Sequence, residues 1–141
     1  MPKIFVDTSA FYALADESDR NHPRAKNAYE SLLKLSLVTT DYVLLECWFL
    51  IGNHLGREKA ISFWDGLRSG IVDMISVTTQ DLNKARGIVD KFSDQDFSLV
   101  DASSFAVMER EKIKSVFTFD SHFRVYRFGK DNKQYFEVVP Q

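Results

Sequence analysis

The chain has 141 residues, of which 45% are hydrophobic and 27% charged, with only 6 Gly and 3 Pro; this balance excludes collagen-like, low-complexity and disordered classes and predicts one globular domain over residues 1–141. A net charge of −2 removes the global basic field that marks many nucleic-acid binders, and a chain of this length buries a core without help from disulfides or a structural metal. The lone cysteine, Cys47, leaves no disulfide framework, and no uncharged apolar run approaches the roughly 20 residues of a membrane span, so a cytoplasmic protein without membrane contact is expected.

Taken in chain order, Ile4-Phe5-Val6 is a short apolar run that reads as a strand and stops at Asp7; Thr8-Ser9 reads as a cap and Ala10 to Ala15 as a helix. From His22 to Leu35 the residues Ala25, Ala28, Tyr29, Leu32 and Leu33 recur at three-and-four spacing and predict an amphipathic helix. Leu37-Val38-Thr39 predicts a second strand, and Thr40 is placed to cap a long apolar helix from Tyr42 to Leu55, ending near Gly56. Another helix follows from Arg57 to Arg68, then a strand from Val72 to Val77, a helix from Gln80 to Lys91 and a helix from Ser98 to Lys112. Val116-Phe117-Thr118-Phe119 is a further buried strand ended by Asp120, followed by a short helix or turn over Ser121 to Phe128 and a last strand from Tyr135 to Val139. Strands alternating with helices predict an α/β fold, a three-layer α/β/α sandwich around a mostly parallel sheet.

The chemistry concentrates in acids that interrupt apolar surroundings. Asp7 and Asp120 each end a predicted strand, and parallel strands gather ligand sites outside their carboxyl ends, so the two are candidate neighbours; the plainer reading of each is a helix N-cap. Glu46 lies in the apolar run Leu44-Leu45-Glu46-Cys47-Trp48, where an ionised carboxylate needs a cation, hydrogen bonds or a shift to its neutral form. A polar stripe with Tyr42 and Asn53 facing a solvated cleft is its structural alternative. Asp101 stands three residues after Ser98, a capping-box spacing, and also in reach of the same cleft; Asp94 and Asp96 read as loop acids.

Four carboxylates in one cleft repel one another unless a cation sits among them, and oxygen-only ligation suits Mg²⁺ or Mn²⁺. Zinc is disfavoured, since His22, His54 and His122 show no metal-binding spacing and read as surface or packing residues. Cys47 reads as a small buried hydrophobe. The segment Arg110 to Lys133 carries a net charge of +4, leaving −6 for the remainder, so a basic patch faces an acidic remainder.

With these motifs in place, Val6-Asp7-Thr8-Ser9, Glu46 in an apolar helix, Leu99-Val100-Asp101-Ala102 and Thr118-Phe119-Asp120-Ser121-His122-Phe123, the sequence resembles the PIN-domain family of metal-dependent ribonucleases, including VapC-like toxins of toxin–antitoxin pairs. The resemblance spans nearly the whole chain. It implies that Asp7, Glu46, Asp101 and Asp120 form the acidic metal site, that the Ser9 hydroxyl supports it, and that Mg²⁺ or Mn²⁺ bound there assists hydrolysis of RNA phosphodiester bonds. Lys112, Lys114, Arg124 and Arg127 would then contact phosphates beside the acids. A small antitoxin covering the cleft and a homodimer are the implied protein partners. The alternatives are a PIN-like scaffold that binds RNA or protein without cleaving, and a phosphoacceptor domain, which is disfavoured because no lysine follows the late strand.

Overall fold

The computed structural model describes residues 2–141; Met1, the first residue of the expected domain, lies outside the described residues. Five strands, β1 (Lys3–Val6), β2 (Ser36–Thr40), β3 (Val72–Ile75), β4 (Ser115–Phe117) and β5 (Glu137–Val139), form one sheet of order β3-β2-β1-β4-β5 with every pairing parallel. The helices are α1 (Thr8–Ala15), α2 (His22–Leu32), α3 (Asp41–Leu55), α4 (Arg57–Gly66), α5 (Thr79–Lys91), α6 (Leu99–Arg110) and the short α7 (His122–Val125). The expected α/β sandwich is the architecture seen. A parallel sheet covered on both faces needs strands that are apolar on both faces, and β1 and β4 supply them: Ile4, Phe5, Val6, Val116 and Phe117 are all buried.

Element boundaries differ from expectation where side-chain caps or glycine decide them. Asp7 itself caps α1, its carboxylate accepting the Ser9 N–H, so the helix starts at Thr8 rather than Ala10. Thr40 caps α3 as expected, through the Val43 N–H at 3.1 Å. The helix α2 closes at Leu32, short of Leu35. After α4 the chain passes through a π-helical turn over Leu67–Ile71, where Gly70 at φ +90° provides the left-handed residue that turns the backbone into β3.

Two features of this topology position a site. The strand order reverses between β1 and β4, and in such sheets a crevice opens outside the carboxyl ends at the reversal. The ladder reaches its last rung there, with the Asp7 N–H donating to the Phe117 carbonyl at 3.0 Å. In addition, α3 packs on both α1 and α6, which carries the middle of α3 to the rim of the same crevice.

Candidate active site

At that crevice Asp7 is 2% exposed, and its Oδ2 accepts three hydrogen bonds: from the Ser9 N–H (3.3 Å), the Ser9 hydroxyl (2.9 Å) and the Thr118 hydroxyl (2.8 Å). The two hydroxyls also tie β1 to the tail of β4. Ser9 Oγ accepts the Phe119 N–H at 2.9 Å, and Thr118 Oγ1 accepts the Asp120 N–H at 3.0 Å. Asp101 sits in the first turn of α6 in a complete capping box: its N–H donates to Ser98 Oγ (3.0 Å) and its Oδ2 accepts the Ser98 N–H (3.2 Å). The cap and cleft readings are therefore both realised in one residue.

His122 was expected to be a surface or packing residue, and the structure corrects this. Its Nδ1 lies 2.8 Å from Asp101 Oδ2 and 3.4 Å from Asp120 Oδ1. Asp120 Oδ1 accepts the His122 N–H at 2.9 Å, which folds the chain back after β4, and the ring packs edge-on to Phe97 at 5.1 Å. Asp101, Asp120 and His122 thus offer three ligand atoms within 4.8 Å of one another. The other two histidines keep to surface or packing roles, with Nδ1 of His22 2.7 Å from the Ala13 carbonyl and that of His54 3.0 Å from the Leu50 carbonyl.

Asp7, Ser9, Glu46, Asp101, Asp120 and His122 all line a single open cleft of about 470 Å³. Glu46 reaches it half-buried from α3, with Leu50 one turn on, whereas Tyr42 and Asn53 are not among the cleft residues and no polar stripe forms. Asp19 and Asp96 add two more carboxylates to the rim, and Asp94 stays outside. No lysine or arginine lines this cleft among the described residues. Cys47 is fully buried, and its thiol is pushed up by burial, as its hydrophobic surroundings predict.

The electrostatics follow from that one-sided charge. Burial raises the Asp7 carboxyl from 3.8 to about 7, with the charges of Asp101 and Asp120 adding to it and the Thr118 and Ser9 hydroxyls opposing. Glu46 is raised by burial, with the charges of Asp101 and Asp120 adding to it and the Thr8 hydroxyl opposing. Asp101 is raised by burial and by Asp120, against the His122 and Ser98 hydrogen bonds. For His122, burial pulls the ring down, but its bond to Asp101 and the charges of Asp120, Asp101 and Asp96 outweigh it and the net direction is up.

The expected phosphate contacts are redistributed by the fold. Lys112 and Lys114 precede β4, which places them at the amino edge of a parallel sheet, opposite the cleft. Arg127 is occupied with the carbonyls of Arg124 (2.7 Å) and Tyr126 (3.0 Å) and lies over the Tyr135 ring. Arg110, which contributed to the local positive count, is bound to Asp81 and Glu111. Thr118 escaped sequence reading because its partner Asp7 is 111 positions away.

Comparisons with known proteins agree with this geometry. The family described as PIN domain matches residues 4–129. The sequence is 32% identical over 125 residues to the 23S rRNA-specific endonuclease VapC20 of Mycobacterium tuberculosis, covering 89% of this chain and 95% of that protein. It is 25% identical over 125 residues to ribonuclease VapC26 of the same organism, covering 88% and 92%. The crystal structure of VapC20, described as a sarcin–ricin loop cleaving toxin, matches with a TM-score of 0.83 at 31% identity over 89% of this chain and 96% of that one. VapBC2 of Rickettsia felis, bound to promoter DNA, matches in fold with a TM-score of 0.70 at 13% identity, covering 96% and 98%. Acids delivered in this order to the β1–β4 reversal, together with the match over residues 4–129 and the extended identity to VapC20, have one meaning: the chain belongs to the PIN-domain family.

Proposed function

We propose that the chain, acting as one nuclease unit, is a Mg²⁺- or Mn²⁺-dependent endoribonuclease and the toxin of a toxin–antitoxin pair. The observation that carries this reading is the cluster of carboxylates, Asp7 and Asp101 buried and Glu46 and Asp120 partly so, facing one cleft that among the described residues no lysine or arginine lines. Among the described residues, Asp7 Oδ1, Asp101 Oδ1 and Asp120 Oδ2 receive no protein hydrogen bond, so the donor set fits a hard, oxygen-seeking ion. Asp7, Asp101 and Asp120, with Glu46, are the residues that would hold it, and His122 steadies Asp101. Such an ion supplies Lewis-acid stabilisation of the charge that grows on a phosphodiester and acidifies water beside it.

The protein's own groups have distinct tasks in this reading. The Ser9 and Thr118 hydroxyls fix Asp7 Oδ2 and leave Oδ1 without a hydrogen bond among the described residues. Ser9 Oγ is committed to Asp7 and to the Phe119 N–H, so it positions rather than attacks. Glu46, with its affinity for a proton raised by burial, is the group placed to accept one from the attacking water. Displacement is direct, with no covalent enzyme intermediate.

The named activities of VapC20 and VapC26 support an RNA substrate, and the toxin–antitoxin complexes among the structural relatives support a protein partner. We place in the same reading a small antitoxin whose basic side chain reaches the carboxylates, and a second copy of the chain. Leu45, Trp48 and Phe49, exposed on α3, offer apolar surface for such contacts. The decisive experiment is cleavage of a labelled 23S rRNA sarcin–ricin loop fragment and of unrelated structured RNAs, with Mn²⁺ or Mg²⁺, beside an EDTA control. Ion-dependent cleavage is expected. Intact RNA with the ion shown to be bound would replace the reading by a non-catalytic RNA- or protein-binding scaffold.

A further inference from the structure

Next to the acid cleft lies a smaller one of about 230 Å³, walled by Arg20, Arg24 and Arg124 together with Asn21, Phe119 and Ser121. Asn21 and Phe119 line both, so the two clefts adjoin across one strand tail. Their charges are opposite in kind: the first is lined by six carboxylates and no Lys or Arg, the second by three arginines and no carboxylate, among the described residues.

All three arginines are exposed, and among the described residues none pairs with an acidic side chain. Arg24 lies 5.5 Å from the Phe119 ring centroid and its Nη2 donates to the Gln141 carbonyl at 3.0 Å; Arg124 Nη2 is 3.5 Å from the Pro140 carbonyl. Among the described residues the other N–H groups of these guanidinium forks have no protein acceptor. Three cations sharing a groove repel one another, and a guanidinium fork matches phosphate oxygens two at a time. A chain of net charge −2 has no overall attraction for RNA, so attraction has to come from a local patch.

We propose that Arg20, Arg24 and Arg124 form a phosphate track that holds the RNA backbone next to the bond presented to the acid cleft. The scissile half of this statement rests on the ribonuclease reading; the binding half stands without it. The arginines are positioning residues: they hold the strand in register and leave base identity unread.

The test is binding of a fluorescently labelled sarcin–ricin loop RNA in EDTA, by anisotropy across a salt series, followed by cleavage kinetics in Mn²⁺. The variants are Arg20→Gln/Arg124→Gln, Arg24→Gln and, at the opposite sheet edge, Lys112→Gln/Lys114→Gln, each checked for fold by circular dichroism. The double arginine variant should weaken binding about tenfold near 0.1 M salt and flatten the slope of log K against log salt by about 1.4. In cleavage it should raise KM with kcat within about twofold of wild type. The lysine variant should match wild type in both assays.

Arginine variants that bind as wild type, a lysine variant that loses as much, or wild-type protein without salt-dependent RNA binding would each overturn the track. RNA held through the arginines but left uncut in Mn²⁺ would sink the ribonuclease reading and leave the track in place. RNA cut with unchanged KM by the arginine variants would do the reverse.

Discussion

The chain builds the same device twice and uses it in opposite ways. Thr78 with Asp81 opens α5, and Ser98 with Asp101 opens α6; both are complete capping boxes and both aspartates are buried, 4% and 7% exposed. Asp81 meets Arg110, whose Nε and Nη2 reach its two oxygens at 3.0 and 2.9 Å; burial pushes the carboxyl up, but this fork and the Thr78 hydrogen bonds together outweigh it and hold the carboxyl below the usual carboxylate range. Asp101 meets Asp120 and His122 instead, and its carboxyl is held above that range. Local helix chemistry is identical at the two positions. What distinguishes a structural acid from a candidate ligand is the third group, supplied by the tertiary fold.

Swapping each aspartate for its amide should separate these roles, and the largest effect is expected at Asp101. Asp101→Asn should lower ion-dependent RNA cleavage by at least about 10²–10³-fold, since it removes a charged donor from the reacting centre. In EDTA the variant should be no less stable than wild type in a denaturant melt, because the charge removed is one that burial and then Asp120 oppose. Asp81→Asn should retain cleavage and lose about 2 kcal/mol, because the partly exposed Arg110 keeps water but loses its buried partner. If Asp81→Asn abolished cleavage while remaining folded, the contrast between the two boxes would collapse.

The pH dependence of stability should run in opposite directions for the two kinds of acid. Asp7, ordinarily near 3.8, is raised to about 7 in the fold. A raised carboxyl favours the folded state fully below its unfolded value and loses that contribution as pH rises through the folded value. For Asp7 this window is roughly pH 4 to 7, and the loss is on the order of 4 kcal/mol. Asp81, being lowered, contributes above its ordinary value and loses that contribution as pH falls through its depressed one. Urea melts in EDTA should therefore show Asp7→Asn more stable than wild type at pH 8, with the gap closing toward pH 4. An unchanging gap would remove buried charge as the source. Added Mn²⁺ should narrow that gap at pH 8, stabilising wild type by about 2.7 kcal/mol at a hundred times its Kd and leaving Asp7→Asn much less affected.

Much of this site is legible in the sequence for a simple reason. Asp7, Glu46, Asp101 and Asp120 each break an apolar run, and an acid in such company has to be explained. The parallel alternation of strands and helices then says which edge they share. What stays hidden depends on contacts that no local spacing encodes. His122 joins the acids only because Asp120 Oδ1 takes its N–H and turns the chain back. A count of charge between Arg110 and Lys133 marks composition rather than place: Lys112 and Lys114 fall on the amino edge of β4, while Arg20 and Arg24, outside the counted segment, arrive beside Phe119.

The smallest expected effect sharpens the same contrast from the neutral side. Thr118 is 1% exposed, and its hydroxyl donates to Asp7 Oδ2 while accepting the Asp120 N–H, so one oxygen orients two acids at once. Thr118→Val keeps the shape and leaves the Asp120 N–H without its acceptor, which should cost about 1–2 kcal/mol in EDTA. Because it frees Asp7 to turn, it should also weaken Mn²⁺ protection against urea, by a margin larger than its effect on the ion-free protein. Thr118→Ser, which restores the hydroxyl, should recover most of both. A valine variant that loses stability but binds Mn²⁺ as wild type would make Thr118 a strut between β1 and β4, and would leave orientation of the acids to Ser9 alone.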